Sequence, residues 1–536
     1  MHQTGSMQQF QTKVSPTLQK LRGGFYTPDE VAAFISSWVI AKSGKYLEPS
    51  CGDGALLRNL PNFSNLDITA IEINEKEAKV AFKSTGMKVI TKDFFSWFTP
   101  KHYEEFDGVM GNPPYIRFGN WQEESRGLAI DILTSQGFRP NKLINAWMPF
   151  VVSALLATKQ SGRIGLILPA ELLQVSYAAE LRSYLMDNSQ NIKIVSFREL
   201  IFPGVQQEVI LLLLTKGVGP AQVQTYEVQN GSELSDLDLS RSSSIRGELH
   251  DDEKWTKYYL DSSAIQIIRR IRKSKVLYPV GDFAEVQVGI VTGCNDFFCL
   301  SKSDAVSNGI YENTIPIVTR SNQLKGIGLD GPNFAALETT KARTRLLELN
   351  NYTFSDLTPP IQKYIREGER QELNLGYKCR IRGTWWKVPS IWIPDGFMWR
   401  QIHKYPRIFA NCAGATSTDT VHRVRMISNI SIDALAIASL NSATLIYSEL
   451  FGRSYGGGVL ELEPSEARSL LVPHPKLVTK SLSKRVKTLL EGNEVDKAVA
   501  LVDKEILSKK LGFTEREIFV MHQSWITLSN RRLGRK

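Results

Sequence analysis

The first 217 residues alternate between short, strongly apolar runs and amphipathic stretches, and the two periods predict alternating strands and helices. Strands are expected at residues 46–49, 67–73, 88–90, 106–110, 163–168, 192–197 and 208–214, with helices starting near 56–60 and spanning 74–82, 141–159 and 177–187. Strands separated by helices point to an α/β fold with a doubly wound, mostly parallel sheet. The short step between the last two strands predicts a hairpin and hence one antiparallel strand.

The alternation stops near residue 230. Ser, Asp, Gly and Arg replace the apolar runs, including Ser242, Ser243 and Ser244. We read 1–230 as one domain, 231–252 as a linker, 253–475 as a mixed α+β domain with short strands and many aromatics, and 476–536 as a basic helical segment. That last segment holds 14 Lys+Arg against 7 Asp+Glu. The whole chain is +10, from 65 basic and 55 acidic residues, which favours a polyanionic partner. A plain solvated helical surface also accounts for the basic run. The five cysteines, Cys51, Cys294, Cys299, Cys379 and Cys412, form no C-x-x-C pair or Cys/His cluster, so free thiols and no metal site are expected. No apolar run is long enough for a spanning helix, and the expected location is the cytosol of a bacterium or archaeon, with no membrane partner.

Chemistry concentrates at the ends of the early strands. Thr27-Pro28-Asp29-Glu30 carries helix-start signals, with Thr27 as cap, Pro28 in the first helical position and Glu30 closing a capping box. Glu48-Pro49-Ser50-Cys51-Gly52-Asp53-Gly54 is a glycine turn between strand and helix, without G-x-G-x-x-G or a following Gly-Lys-Ser/Thr. Two acids flank this turn, which suits a ligand with ammonium or hydroxyl groups better than a pyrophosphate. Glu72, at the next strand end, stands where a carboxylate takes ribose hydroxyls. Asp93 is placed to accept from an adenine amine and Phe94 to pack on its ring; a turn acid beside a core aromatic is the plainer alternative.

Gly111 is followed by Asn112-Pro113-Pro114-Tyr115. The exocyclic amine of adenine is a poor nucleophile because its lone pair is delocalised into the ring. Two acceptors aimed at its hydrogens favour an electron-rich, more tetrahedral nitrogen. The Asn112 side-chain oxygen and the Pro113 carbonyl are the two candidates, with the prolines restricting the backbone and Tyr115 placed to stack on the base.

In this order the motifs resemble the gamma-class, TaqI-like adenine-N6 DNA methyltransferases of restriction–modification systems. The resemblance implies a class I, Rossmann-like methyltransferase domain followed by a target-recognition domain. It implies S-adenosyl-L-methionine as cofactor, held by Tyr26, Thr27, Glu48, Ser50, Cys51, Gly52, Asp53, Gly54, Glu72, Ile73, Asp93, Phe94 and Asn112. Phe25 belongs to the same N-terminal motif. Asn112, Pro113, Pro114 and Tyr115 become the catalytic motif, and Phe202-Pro203 resembles the later motif whose aromatic faces the flipped base opposite Tyr115. Val291-Thr292-Gly293 and Tyr455-Gly456-Gly457-Gly458 resemble pieces of the specificity domain. Two departures touch DNA contacts: Val205 stands where the prototype has a lysine, and the glycine loop reads Cys-Gly-Asp-Gly.

A base inside a duplex does not reach such a pocket, so double-stranded DNA as substrate implies base flipping. The second half supplies candidate DNA contacts: Arg380, Arg382, Lys387, Arg400, Lys404, Arg407 and Arg453, with Trp385, Trp386, Trp399 and His403 interleaved. Core packing is the competing reading for the aromatics. A separately encoded restriction endonuclease is the expected partner, if there is one. The alternative activity is methylation of RNA or of protein glutamine through the same Asn-Pro-Pro-Tyr chemistry.

Overall fold

A computed structural model describes residues 26–202, 208–240, 244–245, 254–455 and 458–534. Phe25, Pro203, Val205, Gly456 and Gly457 lie outside the described residues. The chain divides into two compact units between Tyr258 and Tyr259.

The first unit opens with α1 (Asp29–Val39), which buries Val31, Ala32, Ile35, Ser36 and Val39 on one face, the spacing of an amphipathic helix. Next come β1 (Gly44–Glu48), α2 (Ala55–Arg58), β2 (Leu66–Glu72), α3 (Glu75–Thr85), β3 (Val89–Thr91), α4 (Phe94–Trp97) and β4 (Phe106–Gly111). They are followed by α5 (Glu123–Ser135), α6 (Trp147–Ala157), β5 (Thr158–Pro169), α7 (Ala179–Asp187), β6 (Ser189–Phe197), β7 (Val209–Lys216), β8 (Gln222–Val228) and β9 (Ser244–Ile245). One nine-stranded sheet runs β3-β2-β1-β4-β5-β7-β6-β8-β9. The β3-β2-β1-β4-β5 half is parallel. β7 lies antiparallel between β5 and β6, as the short connection requires.

Strands covered on both faces need no polar alternation. Ile210 to Leu214 of β7 are each 0 % exposed, which is why that stretch reads as one apolar run. The order reverses between β1 and β4, so their carboxyl ends diverge into a crevice. Glu48, Glu72 and Gly111 close β1, β2 and β4 on that edge.

Three local expectations need correction. The helix expected at 141–159 is shorter, because the Ala146 N–H bonds to the Ile116 carbonyl outside the helix and Thr158 already starts β5. Pro149, which has no N–H to give, sits in the first turn of α6, where none is needed. β8, parallel to β6, is not among the expected strands; its alternating burial is diluted by Gln222, Gln224 and Glu227. The start of the expected linker packs on the first unit: Leu234 is 2 % exposed, and the Leu239 carbonyl accepts from Tyr226.

The second unit is mixed α+β. Its described residues form sheets of five, four, three and two strands, each joining segments far apart in sequence. Its C-terminal helices, Lys480–Glu491, Val495–Val502 and Glu515–Leu533, belong to this unit. Trp525 is 2 % exposed, and Arg532 makes a buried ion pair with Glu449 at 2.7 Å.

Candidate active site

Three strand ends and the start of α1 bring the expected residues of the first unit together. After β1 the chain turns through Gly52 (φ 53°) and Gly54 (φ 85°), in the left-handed region that glycine tolerates. A Cβ on Gly54 would lie 3.1–3.2 Å from Ala81 of α3, so the turn and that helix are in close contact. The Gly52 N–H donates to Glu72 Oε2 at 2.9 Å, and the Asn74 N–H donates to Oε1 at 2.8 Å. The Glu72 carboxylate therefore ties the glycine turn to the start of α3. Its pKa is raised by burial, with these N–H bonds acting in the opposite direction.

Glu48 differs. It is 0 % exposed, and among the described residues neither carboxylate oxygen has a hydrogen-bond partner. Burial first, then the charges of Asp53 and Glu72, push its pKa well above the ordinary carboxylate range. An unpartnered buried carboxylate is costly to the isolated protein and marks a place where a cationic or hydroxyl-bearing ligand group would be welcome. Asp53 is engaged with Arg58 at 3.1 Å, and burial raises the Cys51 thiol above its usual value. Ile73, beside Glu72, is 58 % exposed despite being aliphatic.

Asn112 leaves β4 into the same crevice. Its side-chain N–H donates to Thr27 Oγ1 at 3.3 Å, and the Tyr115 hydroxyl lies 3.2 Å from its Oδ1 and 3.1 Å from the Ile167 carbonyl. Ser50 Oγ donates to the Asn112 carbonyl at 3.4 Å. Burial, then the Glu171 charge, hold the Tyr115 phenol well above its usual pKa, so it acts as a donor. The amide is thus bracketed by one acceptor and one donor.

Several expectations change. Thr27 makes no cap: α1 starts at Asp29 with Pro28 before it and no side-chain cap bond, and the Thr27 hydroxyl serves Asn112 instead. Asp93 caps α4 through the Ser96 N–H at 2.9 Å and accepts from Ser125 Oγ at 2.8 Å. Phe94 is 4 % exposed and stacks with Phe98 and Phe150, so it is a core aromatic and not an open ring-binding face. Phe202 is likewise 3 % exposed, inside the core that also takes Tyr115 at its margin, rather than an open stacking wall. Tyr26 is exposed and bonds Glu77.

In the second unit most of the named cations are already used. Arg400 bridges Glu461 and Glu463, Arg453 pairs with Glu466, and Lys404 with Asp496. Lys387 donates to the Asn350 carbonyl, and Arg382 to that of Val291. Arg407 is buried, bonded to the Gly326 carbonyl and lying over Phe409, which removes it from the surface candidates. Arg380 is exposed. Thr292 of the specificity-domain motif is buried and bonds Asn295. Trp386 packs in the core, as the plainer reading of the aromatics has it.

Comparison with known proteins sets each half of the chain beside a known family. Residues 7–242 match the model described as N-6 DNA Methylase. The first unit thus carries an N-6 DNA methylase domain. The chain is a DNA adenine methyltransferase of the restriction–modification kind. Residues 252–507 match the C-terminal domain of Type II methyltransferase M.Eco57I. Type II methyltransferase M.AccI of Acinetobacter calcoaceticus is 24 % identical over 521 residues, covering 90 % of this methyltransferase and 93 % of M.AccI. M.XamI of Xanthomonas campestris pv. amaranthicola is 21 % identical, over 84 % of this chain and 85 % of its own. Among solved structures, the Type IIL restriction-modification enzyme MmeI, described in complex with DNA, aligns over 94 % of this chain and 73 % of its own. Its TM-score is 0.57 at 13 % identity, a likeness of fold. Among the described residues of the methyltransferase, no single helix is long and apolar enough to cross a membrane.

Proposed function

We propose that the crevice at the carboxyl ends of β1, β2 and β4 binds S-adenosyl-L-methionine and presents its methyl group to the N6 of an adenine flipped out of duplex DNA. The observation that carries this is the pairing of an unsatisfied buried carboxylate, Glu48, with an amide held ready at Asn112, both on one sheet edge.

The residues fit the cofactor. Glu48 offers two acceptors to an ammonium group, Glu72 at the end of β2 and Asp53 in the adjoining glycine turn offer acceptors to hydroxyl groups, and exposed Ile73 offers an apolar face for a base. When bound, S-adenosyl-L-methionine supplies a methyl group on a positively charged sulfur, open to in-line displacement. Asn112 Oδ1 and the Pro113 carbonyl would accept the two N6 hydrogens, drawing electron density onto the nitrogen as its lone pair forms the new N–C bond. The methyl would pass to that nitrogen with the electron pair of its former bond left on the cofactor sulfur, and the methylated nitrogen would release one proton to solvent. An amide oxygen has two lone pairs, so Asn112 is able to keep the Tyr115 hydrogen bond while accepting from the base. Thr27 Oγ1, accepting from the amide nitrogen, leaves the amide oxygen for Tyr115 and the base. Catalysis here is mainly positioning and charge stabilisation.

The chain order, with the cofactor turn before the Asn-Pro-Pro-Tyr motif and the second unit last, supports the gamma-class reading. A separately encoded endonuclease fits a chain whose two matched regions are a methylase and a methyltransferase C-terminal domain. Transfer from methyl-labelled cofactor to duplex DNA, RNA and protein in parallel tests the proposal. Label on N6 of adenine in DNA alone is expected; label confined to RNA or protein would overturn it.

A further inference from the structure

We propose that an open basic pocket in the second unit, walled by Arg320, Lys325, Lys341 and Arg343, grips the sugar–phosphate backbone of the DNA substrate. This rests on the reading of the chain as a DNA methyltransferase and adds where the duplex is held.

The pocket has a volume of about 720 Å³, and its lining contains four cations and no carboxylate. Arg320, Lys325 and Lys341 are exposed and enter no ion pair among the described residues; Arg343 shares Asp296. This is the reverse of Arg400, Arg453 and Lys404, whose charges are neutralised within the fold. Cations left together without acids repel one another, and a polyanion relieves that repulsion while releasing its counterions.

The walls are held in place before anything binds. Gln323, 8 % exposed, accepts from the N–H groups of Thr319 at 2.7 Å and Arg320 at 3.0 Å. Thr319 Oγ1 donates to the Arg343 carbonyl at 2.9 Å, joining the two loops that carry the cations. Thr420 Oγ1 donates to the Thr319 carbonyl at 2.9 Å, fixing the first loop from a third segment. Exposed Asn322 adds an amide at the rim. A small-molecule site would be mostly apolar, whereas only Cys299, Leu337 and Ala342 of this lining are. The chemistry favours an extended phosphate chain.

The test is the full-length triple variant Arg320→Gln, Lys325→Gln, Lys341→Gln, titrated with duplex DNA between about 50 and 200 mM salt. Affinity is expected to fall roughly a hundredfold, and the slope of log K against log[salt] to shrink by about 0.9 for each phosphate no longer neutralised. Cofactor affinity and melting temperature should stay unchanged. The control variant Lys476→Gln, Lys480→Gln, Lys484→Gln removes equal charge from the C-terminal region and should shift the slope less. An unchanged slope in the pocket variant, or an equal loss in the control, overturns the proposal, as does a pocket that binds free inorganic phosphate while DNA affinity stays intact. Methylation of RNA or protein instead of DNA by the unaltered enzyme would instead sink the underlying functional reading, so the two failures are separable.

Discussion

Two side chains do work that their residue types do not advertise. Thr27 accepts from the Asn112 amide, so removing its oxygen while keeping its shape frees that amide to rotate. Thr27→Val should lower kcat about tenfold with little change in the KM for DNA, and Thr27→Ser should restore it; a single-turnover assay of the three proteins distinguishes this from a packing defect. Glu48 is buried beside Asp53 and Glu72, and the folded protein holds its proton more tightly than the unfolded chain does. The contribution of Glu48 to the stability of the cofactor-free protein is therefore fully present below the ordinary carboxylate range and is lost as pH rises through the raised folded value. Glu48→Gln should flatten that loss, raise the cofactor-free melting temperature at neutral pH and weaken cofactor binding roughly tenfold, which is about 1.4 kcal/mol. Melting curves across pH with and without cofactor would show both effects; a cofactor affinity unchanged by the substitution would mean Glu48 has no ligand role.

At the scale of elements, the glycine turn and α3 form one unit. Gly54→Ala adds a methyl at φ 85° against Ala81, and the backbone strain alone costs about 1–2 kcal/mol. A lower melting temperature with loss of cofactor binding is expected. The C-terminal helix Glu515–Leu533 is pinned through Arg532, whose guanidinium bonds Glu449 in helix Ser442–Phe451. Arg532→Met would leave Glu449 buried without its cation, at a cost of about 3–5 kcal/mol, measurable by chemical denaturation. The strands β1 to β7 are legible in the sequence because apolar runs and turn residues agree with the sheet they build. β8 is hidden because its polar positions fall every second residue only in part, and the start of α6 because a backbone bond to Ile116 overrides its apolar pattern. The cap expected at Thr27 fails for a related reason: the Thr-Pro-Asp-Glu string signals a cap, and only the fold shows Asn112, 85 residues away, as the partner of its hydroxyl.

For the whole molecule, the motif order along the first unit is what leads us to propose a methyl-transfer site there, because its residues lie in contiguous strand-end turns. The second unit is far less legible. Its sheets join distant segments, so which cations stay unpaired depends on neighbours that the sequence does not place together. Residues 319–325 and 339–345 do carry a one-dimensional hint, with no acid among them, but it is weaker than the Trp/Arg clusters further on, where Arg400, Lys404 and Arg453 are paired with acids. Function and fold then meet in a single claim, that Asn112 grips the adenine amine. Mapping N6-methyladenine in DNA exposed to the full-length protein and to Asn112→Ala, with cofactor and DNA affinity measured on both, tests it most directly. We predict N6-methyladenine at one defined sequence for the unaltered enzyme and a loss of at least about 10²–10³-fold in rate for the variant, with both ligands still bound. Equal methylation by Asn112→Ala would contradict the account.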